Sequence, residues 1–169
     1  TLISGPTNLK INNDINLIQV ETAEQMFKST QNNLPVDVAI FCAAVADFKI
    51  KEKEKEKIKK KDFINLNLEK NIDILNYVSN HNSLRPQLVI GFAAETSNIE
   101  ENSRKKLMEK NCDWIIANDI CNKSIGFDSD FNEVKILYKN KKINDEKLYI
   151  KKKSEIAEEI VDRVVNELN

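Results

Sequence analysis

Apolar and polar positions divide the chain into short strands and amphipathic helices. Three largely apolar runs predict strands that are covered on both faces, as in a parallel sheet. These runs are residues 36–45, 88–94 and 112–117. Shorter apolar stretches predict four further strands. They lie at residues 1–4, 15–20, 134–138 and 148–150.

Helical spacing separates these strands. Thr22 opens the first helix, because Thr22 and Gln25 stand at the spacing of a capping box. Amphipathic patterns predict two helices at 71–82 and 98–111, and Ser154 is predicted to cap a final one. Strands that alternate with helices indicate an α/β fold, here a Rossmann-like three-layer arrangement around a mostly parallel sheet.

In such a sheet a ligand binds beyond the carboxyl ends of the strands. Three segments leave those ends, namely residues 43–48, 92–96 and 118–127. Candidate functional residues are therefore expected in these three segments.

Composition excludes several classes of protein. The 26 basic and 27 acidic side chains leave a net charge of -1, which excludes a strongly cationic nucleic-acid binder. Only three glycines occur, and they leave no room for a G-x-G-x-x-G dinucleotide fingerprint. No apolar run approaches the roughly 18–20 residues that cross a bilayer. Neither a nucleic-acid partner nor a membrane partner is expected.

The cysteines and the histidine carry little metal or redox chemistry. Cys42, Cys112 and Cys121 are widely spaced, no C-x-x-C pair exists, and His81 is the single histidine. This pattern indicates neither a disulfide framework nor a zinc site, and it leaves any metal ligands undefined. Free thiols fit a reducing compartment, so a cytoplasmic location is expected.

Two of the strand ends share one layout. The segments Ala43-Ala44-Val45-Ala46-Asp47 and Gly91-Phe92-Ala93-Ala94-Glu95-Thr96 each place small residues and then a carboxylate after an apolar run. Small side chains let a ligand approach the backbone, and Asp47 offers a carboxylate to a ribose hydroxyl or a metal. Phe92 suits either the core or a platform for a nucleobase. Asp47 and Glu95 suit helix capping equally well.

The positions of some lysines distinguish them from the many solvated ones. Lys and Glu alternate through Glu56, as expected of a solvated arm, whereas residues 57–60 concentrate positive charge that suits phosphate oxygens. Lys106 and Lys110 share a helix face, which contacts either a triphosphate or solvent. Asn71 and Asp73 either cap the next helix or mark amides that receive a phosphate.

Taken in order, these segments resemble the phosphopantothenate–cysteine ligase family of coenzyme A biosynthesis. Each segment is weak alone, but the set follows the family's order and covers nearly the whole chain. The resembling stretches are residues 22–26, 43–48, 57–60, 68–75, 91–96 and 106–110, with Ala117-Asn118.

The resemblance implies a nucleotide-activated ligation, with CTP as the nucleotide in most bacteria. The carboxylate of phosphopantothenate attacks the α-phosphate, which forms an acyl-cytidylate and releases pyrophosphate. The amine of cysteine then displaces CMP and forms the amide. A carboxylate is ionised at neutral pH, so the first step needs charge neutralisation by Lys and Mg²⁺ rather than a general base. The choice among CTP, ATP and UTP stays open.

By the same resemblance, Lys57 would be the catalytic residue, because it would contact the triphosphate as charge develops. Ala44 and Asn118 would contact the substrate. The expected nucleotide contacts are Phe41, Cys42, Ala43, Asp47, Lys57, Asn71, Ile72, Asp73, Ile74, Phe92, Lys106 and Lys110. Within that set, Phe92 would cover the nucleotide and the last two lysines would hold its outer phosphates.

Two departures from the family pattern are visible. The family commonly has Pro where Ile72 stands, which loosens the expected binding turn. Its Gly-rich first segment, a strand–loop–helix that helps bind the acyl-cytidylate, would lie before Thr1. The expectation is therefore one ligase domain over residues 1–169 that lacks this segment.

The resemblance also implies an assembly. The family is dimeric, and residues 48–68 match an extended arm that reaches a neighbouring subunit. In bacteria the ligase is usually the C-terminal half of a bifunctional protein. The other half is an FMN-dependent decarboxylase of phosphopantothenoylcysteine, so FMN is expected only there.

Two other functions compete with the ligase. One is a nucleotide-binding or assembly fragment without complete catalytic activity. The other is a nicotinamide oxidoreductase on a Rossmann sheet, which the missing Gly-rich fingerprint disfavours.

Overall fold

The computed structural model describes residues 1–52, 65–119 and 129–169, and these fall into two compact units. Unit 1 is Thr1–Leu34 with Ala43–Tyr77, and unit 2 is Pro35–Cys42 with Val78–Asn169. The described strands are β1 (Leu2–Ser4), β2 (Leu17–Gln19), β3 (Val38–Phe41), β4 (Phe48–Ile50), β5 (Leu68–Lys70), β6 (Leu88–Glu95), β7 (Trp114–Asp119), β8 (Phe131–Tyr138) and β9 (Glu146–Lys152). The described helices are α1 (Ala23–Asn32), α2 (Ile74–Ser79), α3 (Ile99–Lys110) and α4 (Lys153–Leu168). No helix in these ranges has the length and apolar character to span a bilayer.

Unit 1 begins with a parallel pair, β1 and β2, in which Leu2 lies opposite Leu17. The capping box predicted for α1 is confirmed. Thr22 Oγ1 accepts the Gln25 amide at 3.2 Å, and the Gln25 side chain accepts the Thr22 amide at 3.0 Å. These two bonds satisfy donors that a helix start otherwise leaves unpaired, so α1 begins where the sequence places it.

A second pair in unit 1 escaped the sequence analysis. β4 and β5 are antiparallel, with Lys49 opposite Glu69, and the two side chains form an exposed ion pair at 3.2 Å. The Lys51 amide donates to Asn67 O at 2.9 Å and extends the ladder by one bond. The pair therefore closes the two ends of the predicted arm, although residues 53–64 of that arm lie outside the described residues.

Unit 2 contains a five-stranded sheet in the order β3-β6-β7-β8-β9. The first three strands are parallel to one another, and β8 and β9 join antiparallel. The α/β prediction is thus confirmed, with a parallel half that continues into an antiparallel half. β6 is the inner parallel strand, and its residues 88–91 are all buried.

Two helices cover opposite faces of this sheet. On one face Ile156, Ile160 and Val164 of α4 pack into a cluster with Ile90 and Ile116. Because neighbouring strand residues point to opposite faces, Val89, Ile115 and Leu137 lie on the other face, where α3 contacts β6, β7 and β8. Leu107 of α3 is fully buried. Unit 2 therefore has the expected three layers.

Two sequence-based boundaries were wrong. The run at 36–45 does not form a strand covered on both faces, because β3 ends at Phe41 and is an edge strand whose Ile40 is 44% exposed. The last helix starts at Lys153, so Ser154 lies inside it. The Lys152 amide bonds to Glu155 Oε2 at 3.0 Å, which makes Lys152 the N-terminal boundary residue.

A hydrogen-bonded ion pair lies at the amino end of the parallel strands. Arg85 reaches both carboxylate oxygens of Asp113 at 3.0 Å and also bonds to the carbonyls of Ser79 and Asn111. Asp113 Oδ2 in turn accepts the Val89 amide at 2.7 Å. Each charged group is thus hydrogen-bonded, which is the condition for burying a charge without a large loss of stability.

A second network joins α4 to the antiparallel strands. Arg163 donates to Glu146 Oε2 at 2.7 Å, and Tyr138 Oη donates to Glu146 Oε1 at 2.6 Å. These two bonds, chiefly that from Arg163, lower the pKa of the Glu146 carboxyl below its ordinary value of 4.5. Burial and the same carboxylate raise the pKa of Tyr138. Tyr138 also packs edge-to-face on Trp114, with ring centroids 5.2 Å apart.

Substituting Glu146→Gln should lower the free energy of unfolding by about 1 kcal/mol at neutral pH, because it removes the charge that Arg163 faces. The folded-state pKa of Glu146 is depressed, so its stabilisation is present above pH 4.5 and is lost as the pH falls through the folded-state value. The two proteins should therefore converge in acid. Urea unfolding followed by circular dichroism measures the free energy of unfolding of both proteins from about pH 3 to 8, a range that brackets the ordinary pKa of 4.5.

The exposed Glu158 on α4 provides the control, because Glu158→Gln makes the same charge change away from Arg163. It should alter the stability much less than Glu146→Gln does. A difference between Glu146→Gln and wild type that stays constant into acid would contradict the assignment.

Candidate functional site

Unit 1 contains a cleft of about 790 Å³, which is within the range of small-molecule sites. Predicted contact residues Ala43, Ala44 and Asn71 line it together. Val45 and Ala46 of the same segment also line it, and the other walls were not predicted as contacts. These walls are the turn Ser4-Gly5-Pro6-Thr7, residues 20–24 around the start of α1 with Met26, and residues 49–51 with Glu69.

A signal for the missed turn was present in the sequence. Gly5-Pro6 follows the apolar residues of β1, and β1 pairs in parallel with β2. The carboxyl-end rule therefore applied to this strand as much as to the three segments that were chosen.

Asn71 fixes the segment that follows β3. Its side-chain Nδ2 donates to Ala46 O at 2.8 Å, and its backbone amide donates to Asp47 O at 2.8 Å. These two bonds join the end of the segment 43–47 to Asn71, the first residue of the turn at 71–74. Asp47 itself is exposed and lies directly before β4.

The turn at residues 71–74 forms the N-terminal start of helix α2. Asp73 Oδ1 accepts the Asn76 amide at 2.9 Å, and Asp73 O accepts the Tyr77 amide at 2.9 Å. These contacts are those of an N-cap, which was one of the two readings of Asp73. Ile72 is exposed while Ile74 is buried, so only the first of these side chains faces solvent.

Unit 2 presents its predicted residues at the carboxyl ends of its parallel strands. Phe41 is the last residue of β3 and lies opposite Gly91, and Asn118 near the end of β7 lies opposite Ala94. Phe92 is partly buried and packs against the core cluster on the α4 face. Cys42 directly follows β3 and is an exposed free thiol.

Asn118 is oriented by a neighbouring strand. Asn132 of β8 donates from Nδ2 to Asn118 Oδ1 at 3.2 Å, and its own Oδ1 accepts the Glu133 amide at 2.9 Å. Asn132 is buried, so this bond fixes the orientation of the Asn118 side-chain amide, with its Oδ1 turned toward β8. Asn132 was not expected to matter, because only the fold brings it beside Asn118.

Lys106 of α3 pairs with Glu95, the last residue of β6. Lys106 Nζ lies 2.8 Å from Glu95 Oε1, and the side chains are 43% and 13% exposed. Lys110 lies one turn further along the same helix. In this last turn its positive charge interacts favourably with the partial negative charge of the helix C-terminus. The Lys110 carbonyl accepts the Ser79 hydroxyl. Glu95 was expected only as a possible cap, so its contact with Lys106 is new.

Other chemistry is sparse in the described residues. Burial raises the pKa of the Cys112 thiol to about 11, so the reactive thiolate is scarce at neutral pH. Residues 1–52, 65–119 and 129–169 contain no group of three or more His, Cys, Asp or Glu that could hold a metal ion. Lys57, the expected catalytic residue, lies outside these ranges, and its role stays a prediction.

Comparison with known proteins identifies the family. A family model for the C-terminal domain of the DNA/pantothenate metabolism flavoprotein matches residues 1–168. The chain belongs to this family.

Curated relatives in this family are named coenzyme A biosynthesis bifunctional protein CoaBC. The chain is 38% identical to that of Haemophilus influenzae over 167 residues and 39% identical to that of Borreliella burgdorferi over 166 residues. The matches cover 98% and 95% of this chain but 40% of each relative. The chain therefore spans less than half the length of these bifunctional proteins.

Solved structures agree with the fold. The crystal structure of the C-terminal domain of CoaBC superposes with a TM-score of 0.76 at 34% identity, covering 98% of this chain and 72% of that chain. A DNA/pantothenate metabolism flavoprotein from Streptococcus pneumoniae gives the same TM-score at 21% identity, covering 98% and 80%. The second likeness supports the fold alone.

Replacing Asn71 with Ala should loosen the segment 43–47, because it removes the donor to Ala46 O. The loss of one such bond lowers local stability by about 0.5–1.5 kcal/mol, which corresponds to roughly 2- to 12-fold faster amide exchange. Hydrogen exchange of peptides that cover residues 43–50 measures it.

Asn67→Ala is the matched control, since the exposed Asn67 engages Lys51 through its backbone carbonyl, which the substitution retains. Exchange in residues 43–50 should stay near wild type in this variant. Equal effects of the two variants would show that the Asn71 side chain does not fix the segment.

Proposed function

We propose that the chain is the phosphopantothenate–cysteine ligase part of a coenzyme A biosynthetic enzyme, with CTP as the activating nucleotide. The observation that carries the proposal is the near-complete match to the family, at 38% identity to a bifunctional CoaBC protein. The ordered motifs of residues 43–48, 57–60, 91–96 and 106–110 support the ligase half of that name.

The proposed reaction has two steps. A carboxylate oxygen of phosphopantothenate attacks the α-phosphorus of CTP, and the bond to the bridging oxygen breaks with release of pyrophosphate. The amine nitrogen of cysteine then attacks the acyl carbon, the acyl–phosphate bond breaks with release of CMP, and the ammonium proton passes to solvent. Neither step requires a histidine, which agrees with the single His81 in the sequence.

Residues of unit 2 would supply positive charge to the phosphates and an aromatic ring that covers the nucleotide. Lys106 would contact the outer phosphates from α3, and Lys110 would add a second positive charge one turn away. The partly exposed ring of Phe92 would lie against the nucleotide, while its other side stays in the core. Asn118, held by Asn132, would present a fixed amide to the substrate.

Residues of unit 1 would let a ligand come close to the backbone. Ala43 and Ala44 are exposed and lack bulk, so a ligand in the cleft can reach their peptide groups. Asn71 holds this segment in place. Asp47 would hold the sugar or the base, and Lys57 would neutralise charge at the α-phosphate.

Mg²⁺ fits this site as a companion of the nucleotide. Mg²⁺ commonly binds substrate phosphates together with one or two carboxylates, so a large acidic cluster is not required. Asp47 is an exposed carboxylate that directly follows the lining residues Ala43-Ala44-Val45-Ala46, and Glu21, Glu24 and Glu69 line the cleft themselves. When bound, the ion would withdraw negative charge from the phosphates.

A dimer that uses the arm 48–68 and a fused FMN-dependent decarboxylase complete the proposal. The β4–β5 ladder joins the ends of the arm. The bifunctional relatives are consistent with the fused partner, since each is much longer than this chain.

Substituting Lys57→Gln in the full-length protein should reduce acyl-cytidylate formation by about 100- to 1,000-fold, as expected when one positioned charge at a reacting centre is lost. Pyrophosphate released from CTP and phosphopantothenate, with cysteine omitted, measures the first step alone. Lys53→Gln removes the same charge within the alternating Lys and Glu residues and should leave the rate near wild type. Unchanged turnover by Lys57→Gln would remove Lys57 from the mechanism.

Nucleotide choice is tested by thermal unfolding with Mg²⁺ and CTP, ATP, UTP or NAD. A nucleotide at 100 times its dissociation constant adds about 2.7 kcal/mol of stability, so CTP should give the largest shift. CTP binding with no product from the full-length protein would favour a nucleotide-binding module instead. A larger shift with NAD would favour an oxidoreductase.

A further inference from the structure

Glu95 occupies an unusual position for a carboxylate. It ends the buried strand β6, and its side chain is only 13% exposed. Its Oε1 is buried and has no aligned hydrogen bond within the described residues, and Lys106 Nζ at 2.8 Å is the cation that faces it. Removing a carboxylate from water without several partners is unfavourable.

The contrast with Asp113 shows what a structural carboxylate looks like in the same sheet. Asp113 meets Arg85 through both oxygens and also accepts the Val89 amide. Glu95 has far fewer partners, although it ends β6 and Asp113 directly precedes the neighbouring strand β7. Buried polar groups that break the rule of full hydrogen bonding are concentrated where a protein uses them.

The position of Lys106 indicates how the protein uses the Glu95 carboxylate. Its side chain is 43% exposed, so the ammonium is held from the protein side by Glu95 while its solvent side stays open. An ammonium has three donors, and those on its open side stay available to an incoming anion. Lys also loses considerable rotamer freedom when it is fixed, and Glu95 would fix it before the anion arrives.

We propose that Glu95 is a positioning residue that holds Lys106 ready for the outer phosphates of the nucleotide. The inference rests on the proposed function, because it takes the nucleotide as the anion. Glu95 would touch no substrate and would act only through Lys106. It follows that its substitution matters only while Lys106 is present.

A double-mutant cycle on nucleotide affinity tests this in the full-length protein. We expect Lys106→Met to weaken Mg²⁺·CTP binding by about tenfold, in line with the loss of one charge-assisted contact. Glu95→Gln keeps the shape and loses the charge, and we expect it to weaken binding by about fivefold for loss of preorganisation. The double variant should bind no more weakly than Lys106→Met alone. Isothermal titration calorimetry measures all four dissociation constants.

Kinetics provide a readout that a purely structural role would not produce. Because Glu95 would affect ground state and transition state equally, Glu95→Gln should raise the KM for CTP by about fivefold while kcat changes less than twofold. Far-UV circular dichroism of each variant checks that the fold is retained. A misfolded protein would instead lower kcat in proportion to the inactive fraction.

The exposed pair on the same helix is the matched control. Lys105 and Glu109 form an ion pair at 3.8 Å with side chains 73% and 57% exposed. Glu109→Gln makes the same charge change on α3 and should leave both the affinity and the KM for CTP unchanged.

Three outcomes would overturn the inference. Tighter CTP binding by Glu95→Gln would show that Glu95 competes with the phosphates rather than preparing Lys106 for them. An undiminished effect in the Lys106→Met background would show that Glu95 acts independently. Normal binding by Glu95→Gln beside impaired Lys106→Met would show that the lysine needs no positioning. If wild type neither binds nor consumes CTP, the proposed function itself fails, which is a distinguishable result.

Discussion

Burial of β6 between two parallel neighbours is the constraint on which unit 2 depends. A strand buried on both faces must pair its backbone polar groups with adjacent strands, and β6 does so with β3 and β7. A shift of one residue in this register would exchange the side chains that face α3 and α4. That register also sets Phe92 on one face of the sheet and Glu95 on the other.

The two ends of this strand carry charges that are treated differently. At the amino end, Arg85 and Asp113 satisfy one another and the nearby backbone. At the carboxyl end, Glu95 and Lys106 meet through one contact and leave the lysine open to solvent. A well-satisfied pair contributes to a stable fold, and the inference drawn above assigns ligand recognition to the sparsely partnered pair. Under that inference, stability and recognition are served at opposite ends of one strand.

Local patterns predicted the elements that local physics controls. The Thr22–Gln25 box and the buried runs of β6 and β7 depend on neighbours in sequence, and the structure has them where expected. The β4–β5 ladder was missed because each strand is only three residues long, too short for an alternating pattern to be distinctive. The exposure of Ile40 and the contact of Asn132 with Asn118 follow from strand order, which no short window contains. Helix spacing and motif resemblance singled out Lys106, whose role stays a prediction, and only the fold revealed its carboxylate partner.

The contact of Trp114 with Tyr138 gives the molecule an internal optical reporter. Trp114 is the single tryptophan in the sequence, is 3% exposed and belongs to unit 2. In unit 1 the corresponding aromatic contact is Phe27 with Tyr77, at 4.8 Å between ring centroids. Emission excited at the red edge of indole absorption therefore follows the packing of unit 2 alone, whereas far-UV circular dichroism follows both units. Comparing the two signals separates the cooperativity of each unit without any added label.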